Sequence, residues 1–233
     1  MRVRVATTAV GITAVALLTL SACSSATDTA RPAPSSSARS GSPAATEQNG
    51  TALSSAALTA RLLDESDLGS GYTRKPEHPA QHDDVTVLGC PALADLGGDA
   101  ATGGPLDFPR QAKTSFTYAG SSSSEISEEL YNDSATKLSD GIDRIFDAMT
   151  GCPTYQVVTG GTPIDMASQK LPAPRGHGDE QWSQLMTFST RGRSTVVQQT
   201  AIRDGSLLLI ISGSPALVER HLDKALAKAT ATS

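Results

Sequence analysis

The chain has 233 residues, 19 of them Lys or Arg against 24 Asp or Glu, for a formal net charge of −5. An acidic balance with no Lys/Arg-rich run excludes nucleic acid and other polyanions as partners, because both need clustered positive charge. Aromatic residues make up 4% of the chain, so any core must be assembled from aliphatic and small side chains.

The N-terminus reads as an export signal. Arg2 and Arg4 give a charged start, Ala9 to Leu20 is almost wholly apolar, and Leu20, Ser21 and Ala22 lead into Cys23. This is the order of regions in a secretory signal peptide, and the apolar run is short for a membrane-spanning helix. Residues 1–22 are therefore expected to be removed as a signal peptide, which takes two arginines and no acid and moves the net charge from −5 to −7. A small-residue site followed at once by cysteine resembles the lipobox of bacterial lipoproteins. That resemblance implies a diacylglyceryl group, with palmitate-type chains, on the Cys23 thiol. Attachment to the membrane is then by lipid rather than charge, and two acyl chains are what stable anchoring requires. A cleaved signal with an incidental cysteine, or an uncleaved helix, is the alternative.

Ser, Ala, Thr and Pro dominate from Ser24 to about Ser55, with almost no large apolar residue before Leu53. Such a segment cannot bury enough surface to offset its ordering entropy. Residues 23–56 are thus expected to form a lipidated N-terminus and a disordered tether, with a reach of about 30 Å as a random coil. The folded domain is assigned to residues 57–233.

Leu58, Leu62 and Leu63 fall at helical spacing, and the polar run from Asp64 to Asp67 with Gly69 and Gly71 is expected to end that helix in a turn. A loop-rich stretch follows through Pro76, Pro79, Cys90 and Pro91, with one helical turn after Cys90 through Leu93 and Leu96. Ala112, Thr114, Phe116 and Tyr118 alternate with more polar positions, and Ile126 to Tyr131 is the partner strand of a hairpin. Asp133 or Ser134 can cap the strongest helix, in which Leu138, Ile142, Ile145, Phe146 and Met149 share a face before Gly151. Tyr155 to Thr159, Ile164 to Leu171 and Trp182 to Phe188 read as strands. Ser194 to Arg203 and Ser206 to Ser212 flank Asp204-Gly205, a hairpin turn signal. The five aliphatics from Leu207 to Ile211 mark a central strand covered on at least one face. Ser214 and Pro215 open a closing helix with Val218, Leu222, Ala225, Leu226 and Ala229 on one face. Two amphipathic helices and an antiparallel sheet predict an α+β, two-layer domain with the helices packed on one face.

With Cys23 assigned to lipid, Cys90 and Cys152 remain as an even pair in an exported chain, and a structural disulfide between them is the expected state. A redox or metal pair is the rival, but neither a CxxC spacing nor a neighbouring histidine supports it.

Taken together, Leu62 and Leu63, then Asp67, Leu68 and Gly71-Tyr72, the helix ending in Cys152-Pro153, Gly178-Asp179-Glu180 before a strand, the Asp204-Gly205 hairpin and the closing helix form a pattern. In that order they resemble the PknH-like extracellular sensor domain of actinobacterial receptor kinases and free-standing lipoproteins, over about residues 57–231. The resemblance implies an antiparallel sheet with packed helices and a cleft for a small ligand. It also implies two intramolecular disulfides, whereas Cys90 and Cys152 allow this chain one.

Signatures of catalysis are missing: there is no GxSxG elbow, no HExxH and no P-loop. His177, between Gly176 and Gly178 and followed by Asp179, is the better catalytic candidate, and a mobile loop residue is its plainer reading. His221, near Arg220 and Lys224, reads as a solvated surface residue. His78, His82, Asp83 and Asp84 form a metal-like cluster, but Pro79 spoils helical spacing and incidental loop polarity is the simpler reading. Trp182 belongs either to the core or to a ligand platform on an uncovered sheet face, which Gln184, Gln198 and Thr200 would line.

The combined reading is a lipid-anchored, non-catalytic extracytoplasmic sensor-type or small-ligand-binding domain, with no cofactor and no metal. Its partners are the membrane through Cys23 and a small ligand or envelope protein. An envelope hydrolase using His177 and Asp179, or a structural lipoprotein without a ligand, is the alternative.

Overall fold

The structure, a computed structural model, describes residues 52–76, 85–97, 108–119 and 124–231. The expected signal peptide, Cys23, most of the tether and the His78, His82, Asp83 and Asp84 cluster lie outside the described residues.

Among the described residues the fold is a nine-stranded antiparallel sheet with five helices. In chain order the elements are α1 (Ser55–Thr59), α2 (Glu65–Leu68), β1 (Tyr72–Arg74), β2 (Val85–Leu88), α3 (Pro91–Ala94), β3 (Gln111–Tyr118), β4 (Ser124–Asn132), α4 (Ala135–Gly151), β5 (Thr154–Thr159), β6 (Thr162–Lys170), β7 (Glu180–Thr190), β8 (Arg193–Asp204), β9 (Leu207–Gly213) and α5 (Pro215–Thr230). The strands are ordered β1-β3-β4-β9-β8-β7-β6-β5-β2. The α+β class and the antiparallel sheet are as expected.

The helices, however, do not share a face. Leu207, Leu209 and Ile211 of β9 pack with Leu217, Val218, Leu222, Ala225 and Ala229 of α5, and with Leu58, Leu62, Leu63 and Leu68 from the N-terminal segment. Leu208 and Ile210, the intervening residues, pack with Leu138, Ile142 and Phe146 of α4. Side chains of a strand alternate between faces, so α4 and α5 cover opposite sides of the same strand. Each long helix with its stretch of sheet is a two-layer unit, and the two units share β8 and β9. The unbroken aliphatic run of β9 follows from this, because both of its faces are buried, each large side chain contributing about 1.5–3 kcal/mol relative to exposure.

Local chemistry sets the ends of the elements. Ser134 is the cap of α4, accepting the N–H of Lys137 at 3.4 Å, and Pro215 opens α5. The β8–β9 turn falls one residue later than the Asp-Gly signal indicates: Asp204 pairs with Leu207, leaving Gly205 and Ser206 as the two-residue loop. Gly205 has φ +57 and Ser206 does not adopt a positive φ, the residue order of a type II′ turn. The polar run from Asp64 to Asp67 starts a helix instead of ending one. Asp64 accepts the N–H groups of Ser66 and Asp67, and Asp67 returns a carboxylate to the N–H of Asp64, a capping box that composition alone does not separate from a turn.

Cys90 and Cys152 are joined in a disulfide, with Cα atoms 5.7 Å apart. Cys90 caps α3 and Cys152 caps the end of α4, so the bridge ties the chain leaving β2 to the longest helix. Leu93, Ala148, Met149, Tyr155, Val157, Met166 and Met186 pack around it.

Candidate functional site

The helices leave one broad sheet surface uncovered by described residues. On the α5 side, α5 reaches β4, β8 and β9, while β7, β6, β5 and β2 present their second face without a helix. Strand pairing fixes which side chains line it. One row runs across the sheet through Ser194, Ser189, Asp165, Gln156 and Leu88, and the next through Val196, Thr187, Ala167 and Thr154. A concavity of about 520 Å³ lies over the members of these rows on β7, β6, β5 and β2, bounded also by Gly89. It is hollow for a simple reason: Ala167 and the short hydroxyl residues beside it sit between Leu88 and Val196, the exposed large apolar side chains at 48% and 42%.

The chemistry of this surface is amphipathic and free of cations. Asp165 is the carboxylate of the two rows, and its Oδ1 accepts a hydrogen bond from Gln156 Nε2 at 2.9 Å. Thr154, Thr187, Ser189 and Ser194 supply hydroxyls, and Ser189 and Ser194 are hydrogen-bonded at 2.8 Å. Such a surface can present acceptors and donors to hydroxyl, amide or amine groups while its apolar ends cover hydrocarbon. It has no Lys or Arg in either row to hold an anion. Sequence patterning alone does not single these residues out, because their juxtaposition depends on the pairing of five strands.

The residues singled out from sequence are distributed differently. Trp182 and Gln184 lie on the α4 side. Trp182 Nε1 donates to Asp143 Oδ1 at 2.6 Å and its ring stands 6.5 Å from that of Phe146, so the indole belongs to helix packing. Gln184 is 0% exposed; its Nε2 donates to Gln199 Oε1 at 2.9 Å and its Oε1 accepts from Ser168 Oγ at 3.2 Å. Thr200 is on the opposite side but buried, 3.1 Å from Ser183 Oγ. Gln198, beside Leu185, is the member of that trio that borders the open face.

His177 and Asp179 are held by separate partners. His177 Nε2 is bonded to Asp223 Oδ1 of α5 at 2.8 Å, while its Nδ1 is buried without a partner among the described residues. Asp179 accepts from Arg203 Nη1 and from the N–H of Gly205, each at 2.9 Å. Glu180 completes the clamp, accepting from Arg203 Nε at 2.7 Å and from Ser139 Oγ at 3.1 Å. The N–H of Gly205 and the Arg203 guanidinium hold the Asp179 carboxyl below its ordinary value, and Arg203 does the same to Glu180. These carboxylates therefore lock β7, β8 and α4 together. They are not arranged with His177 as a catalytic dyad.

His221 is not a solvated residue. It is 5% exposed, and its Nε2 lies 2.7 Å from Tyr72 Oη. Burial, then the charges of Arg220 and Lys224, push its pKa down. Its partner is on β1, so helical periodicity alone could not tell this position from a solvated one. Among the described residues no group of three or more His, Cys, Asp or Glu is arranged to hold a metal ion, and no helix is long and apolar enough to cross a membrane.

No family model matches the chain, and no curated protein matches it. Solved structures do. The extracellular domain of PknH from Mycobacterium tuberculosis aligns over 76% of this chain and 97% of its own length, with a TM-score of 0.58 at 12% sequence identity. An Rv0999 ortholog from Mycobacterium smegmatis aligns over 71% of this chain and 93% of its own, with a TM-score of 0.39 at 11% identity. The order of elements that resembled a PknH-like sensor domain in the sequence thus corresponds to a shared three-dimensional arrangement, and the chain has the fold of the PknH extracellular domain.

Proposed function

We propose that this chain is an extracytoplasmic sensor-type domain, lipid-anchored through Cys23, that binds a small ligand on the open face of its sheet. The observation that carries the reading is the uncovered concavity over Asp165, Ala167 and Thr187 in a fold shared with an extracellular domain of PknH. Its lining favours a neutral or cationic amphiphile over an anion, since Asp165 is the charge available and Leu88 and Val196 flank it. The export-type N-terminus and the disulfide fit an oxidising compartment outside the cytoplasm. A non-catalytic role is supported by the separation of His177 from Asp179, each spent on a structural contact.

The test is native mass spectrometry of the chain recovered from its own membrane, with untargeted extraction of whatever it carries. The reading expects diacyl mass on the N-terminal peptide that is lost in Cys23→Ala. It also expects a co-purifying small molecule that is lost in Ala167→Arg, a change that fills the hollow. A chain without bound small molecules, or one whose occupancy ignores Ala167→Arg, would sink the ligand site; a Cys23 peptide without acyl mass would sink the anchor.

A further inference from the structure

Glu128, in the middle of β4, is 1% exposed. Its Oε2 accepts the backbone N–H of Leu63 at 2.6 Å, while its Oε1 has no partner among the described residues. Across the strand pair on β3 stands Thr114, equally buried, whose Oγ1 is also without a partner among the described residues. An ionised carboxylate has about four lone-pair sites to satisfy, and one amide N–H leaves most of that demand unmet in a place water does not reach.

The surrounding charges do not make up the difference. From α5, Lys228 directs its ammonium to Asp64 at 2.9 Å and to Asp67, and Lys224 donates to the carbonyl of Asp67 at 2.7 Å. From α2 and its N-cap come Glu65, Asp67 and Asp64, all acidic. From β1, Arg74 Nη2 donates to the carbonyl of Leu63 at 3.4 Å, and from the α1–α2 bend Arg61 is occupied by the carbonyl of Ala229 at 3.0 Å. On β9 the cross-strand neighbour of Glu128 is Ile211, which is apolar.

Leu63 belongs to the segment from Leu53 to Leu68 through which the preceding chain joins the sheet. That segment is held by apolar burial of Leu58, Leu62, Leu63 and Leu68, by the Lys228 contacts, and by the N–H of Leu53 on Asn132 Oδ1 at 2.9 Å. Glu128 lies beneath it, so lifting the segment is what gives this carboxyl access to water.

We propose that Glu128 is a proton-binding site that couples docking of the Leu53–Leu68 segment to pH, the docked form holding the carboxyl neutral and the lifted form letting it ionise. The neutral acid still accepts the N–H of Leu63 and no longer carries a charge that the buried site leaves unsolvated. Burial pushes the carboxyl up from 4.5 to about 7, against the downward pulls of the Leu63 N–H and Lys228. The sign follows by linkage: a carboxyl raised in the docked state stabilises docking fully below 4.5, and that contribution is lost as pH rises through about 7. One proton changes the docking equilibrium by at most about tenfold per pH unit within that window.

Two measurements on the full-length chain test this. The first is native-state amide exchange at Leu62, Leu63 and Leu68 between pH 5.5 and 8, corrected for intrinsic rates, in the unaltered chain and in Glu128→Gln. Protection of these amides should fall by tenfold or more across the range in the unaltered chain, with the amides of Ile142 and Phe146 unchanged, and Glu128→Gln should remove the dependence because its amide is neutral at every pH. An equal pH dependence in both chains, or a fall shared by the amides of α4, overturns the proposal. The second needs no variant: the side-chain carboxyl carbon of Glu128, followed by NMR, should titrate near pH 7, and a midpoint between 4 and 5 overturns it.

Discussion

Cys152, the residue that caps the C-terminus of α4, is bonded to Cys90, the residue that caps the N-terminus of α3. The bond closes a loop with a separation of 62 residues that contains β3, β4 and α4, and it holds edge strand β2 near the end of the helix that covers the other face of the sheet. Gly89 and Leu88, at one end of the candidate site, precede the bridged cysteine directly.

Removing this cross-link should lower stability by about 4 kcal/mol, from the loop entropy restored to the unfolded chain. Urea denaturation of the oxidised chain and of the Cys90→Ala, Cys152→Ala double variant measures it. A difference below about 1 kcal/mol would mean that the unfolded chain keeps those segments together without the bond.

Gly178 has φ +58, and a Cβ there would overlap the carbonyl oxygen of Arg203, in the same clamp where Arg203 holds Asp179 and Glu180. Gly178→Ala is expected to cost about 2–3 kcal/mol, since strain adds to the displacement of β8. Gly176, with φ +86 and open space around it, carries the backbone cost alone, so Gly176→Ala should cost about 1 kcal/mol. Thermal unfolding of the two variants side by side checks the difference, and equal losses would show that the close approach to Arg203 is not what selects glycine at 178.

His221 is neutral in its buried site, with a pKa below its ordinary 6.5. A base whose folded pKa is depressed contributes stability that is present above 6.5 and is lost as pH falls through its folded value, because the unfolded chain takes up the proton first. His221→Gln should flatten stability below pH 6.5, and Tyr72→Phe, which leaves His221 Nε2 without its partner, should cost about 1 kcal/mol at pH 7. Chemical denaturation from pH 5 to 8 separates this effect from that of Glu128 by sign: His221 weakens the fold on acidification, whereas Glu128 weakens docking on alkalinisation. A slope below pH 6.5 unchanged by His221→Gln would contradict the assignment.

Much of the local structure was legible in the sequence. The apolar spacing of Leu138, Ile142, Phe146 and Met149 is a helix because one face of that period must find a sheet, and α4 forms there. The alternation from Ala112 to Tyr118 and from Trp182 to Phe188 is strand because the two sides of a pleat meet different surroundings. The PknH-like order of elements rests on the same short-range signals. The capping box at Asp64 was not legible as a helix start, because a short polar run before glycines serves a turn equally well.

The candidate site was less accessible, and the reason is pairing. Asp165, Gln156, Thr187 and Ala167 come from three strands, and nothing in each strand alone says which residues stand side by side. Of the two readings of Trp182 the core one holds, and Gln184, offered for an open face, lies on the covered side: periodicity gives two faces but does not say which one a helix covers.

By itself, then, the sequence determined what local periodicity and residue chemistry can encode: the α+β class, the strands and long helices, and an even pair of cysteines. Only the tertiary structure decided that α4 and α5 lie on opposite faces of β9, that His221 is buried against Tyr72 and Glu128 beneath the N-terminal segment, and that the described residues leave one half-sheet open over Asp165. Those features depend on contacts between residues far apart in the chain, and burial, pKa and concavity are properties of such contacts rather than of any residue type.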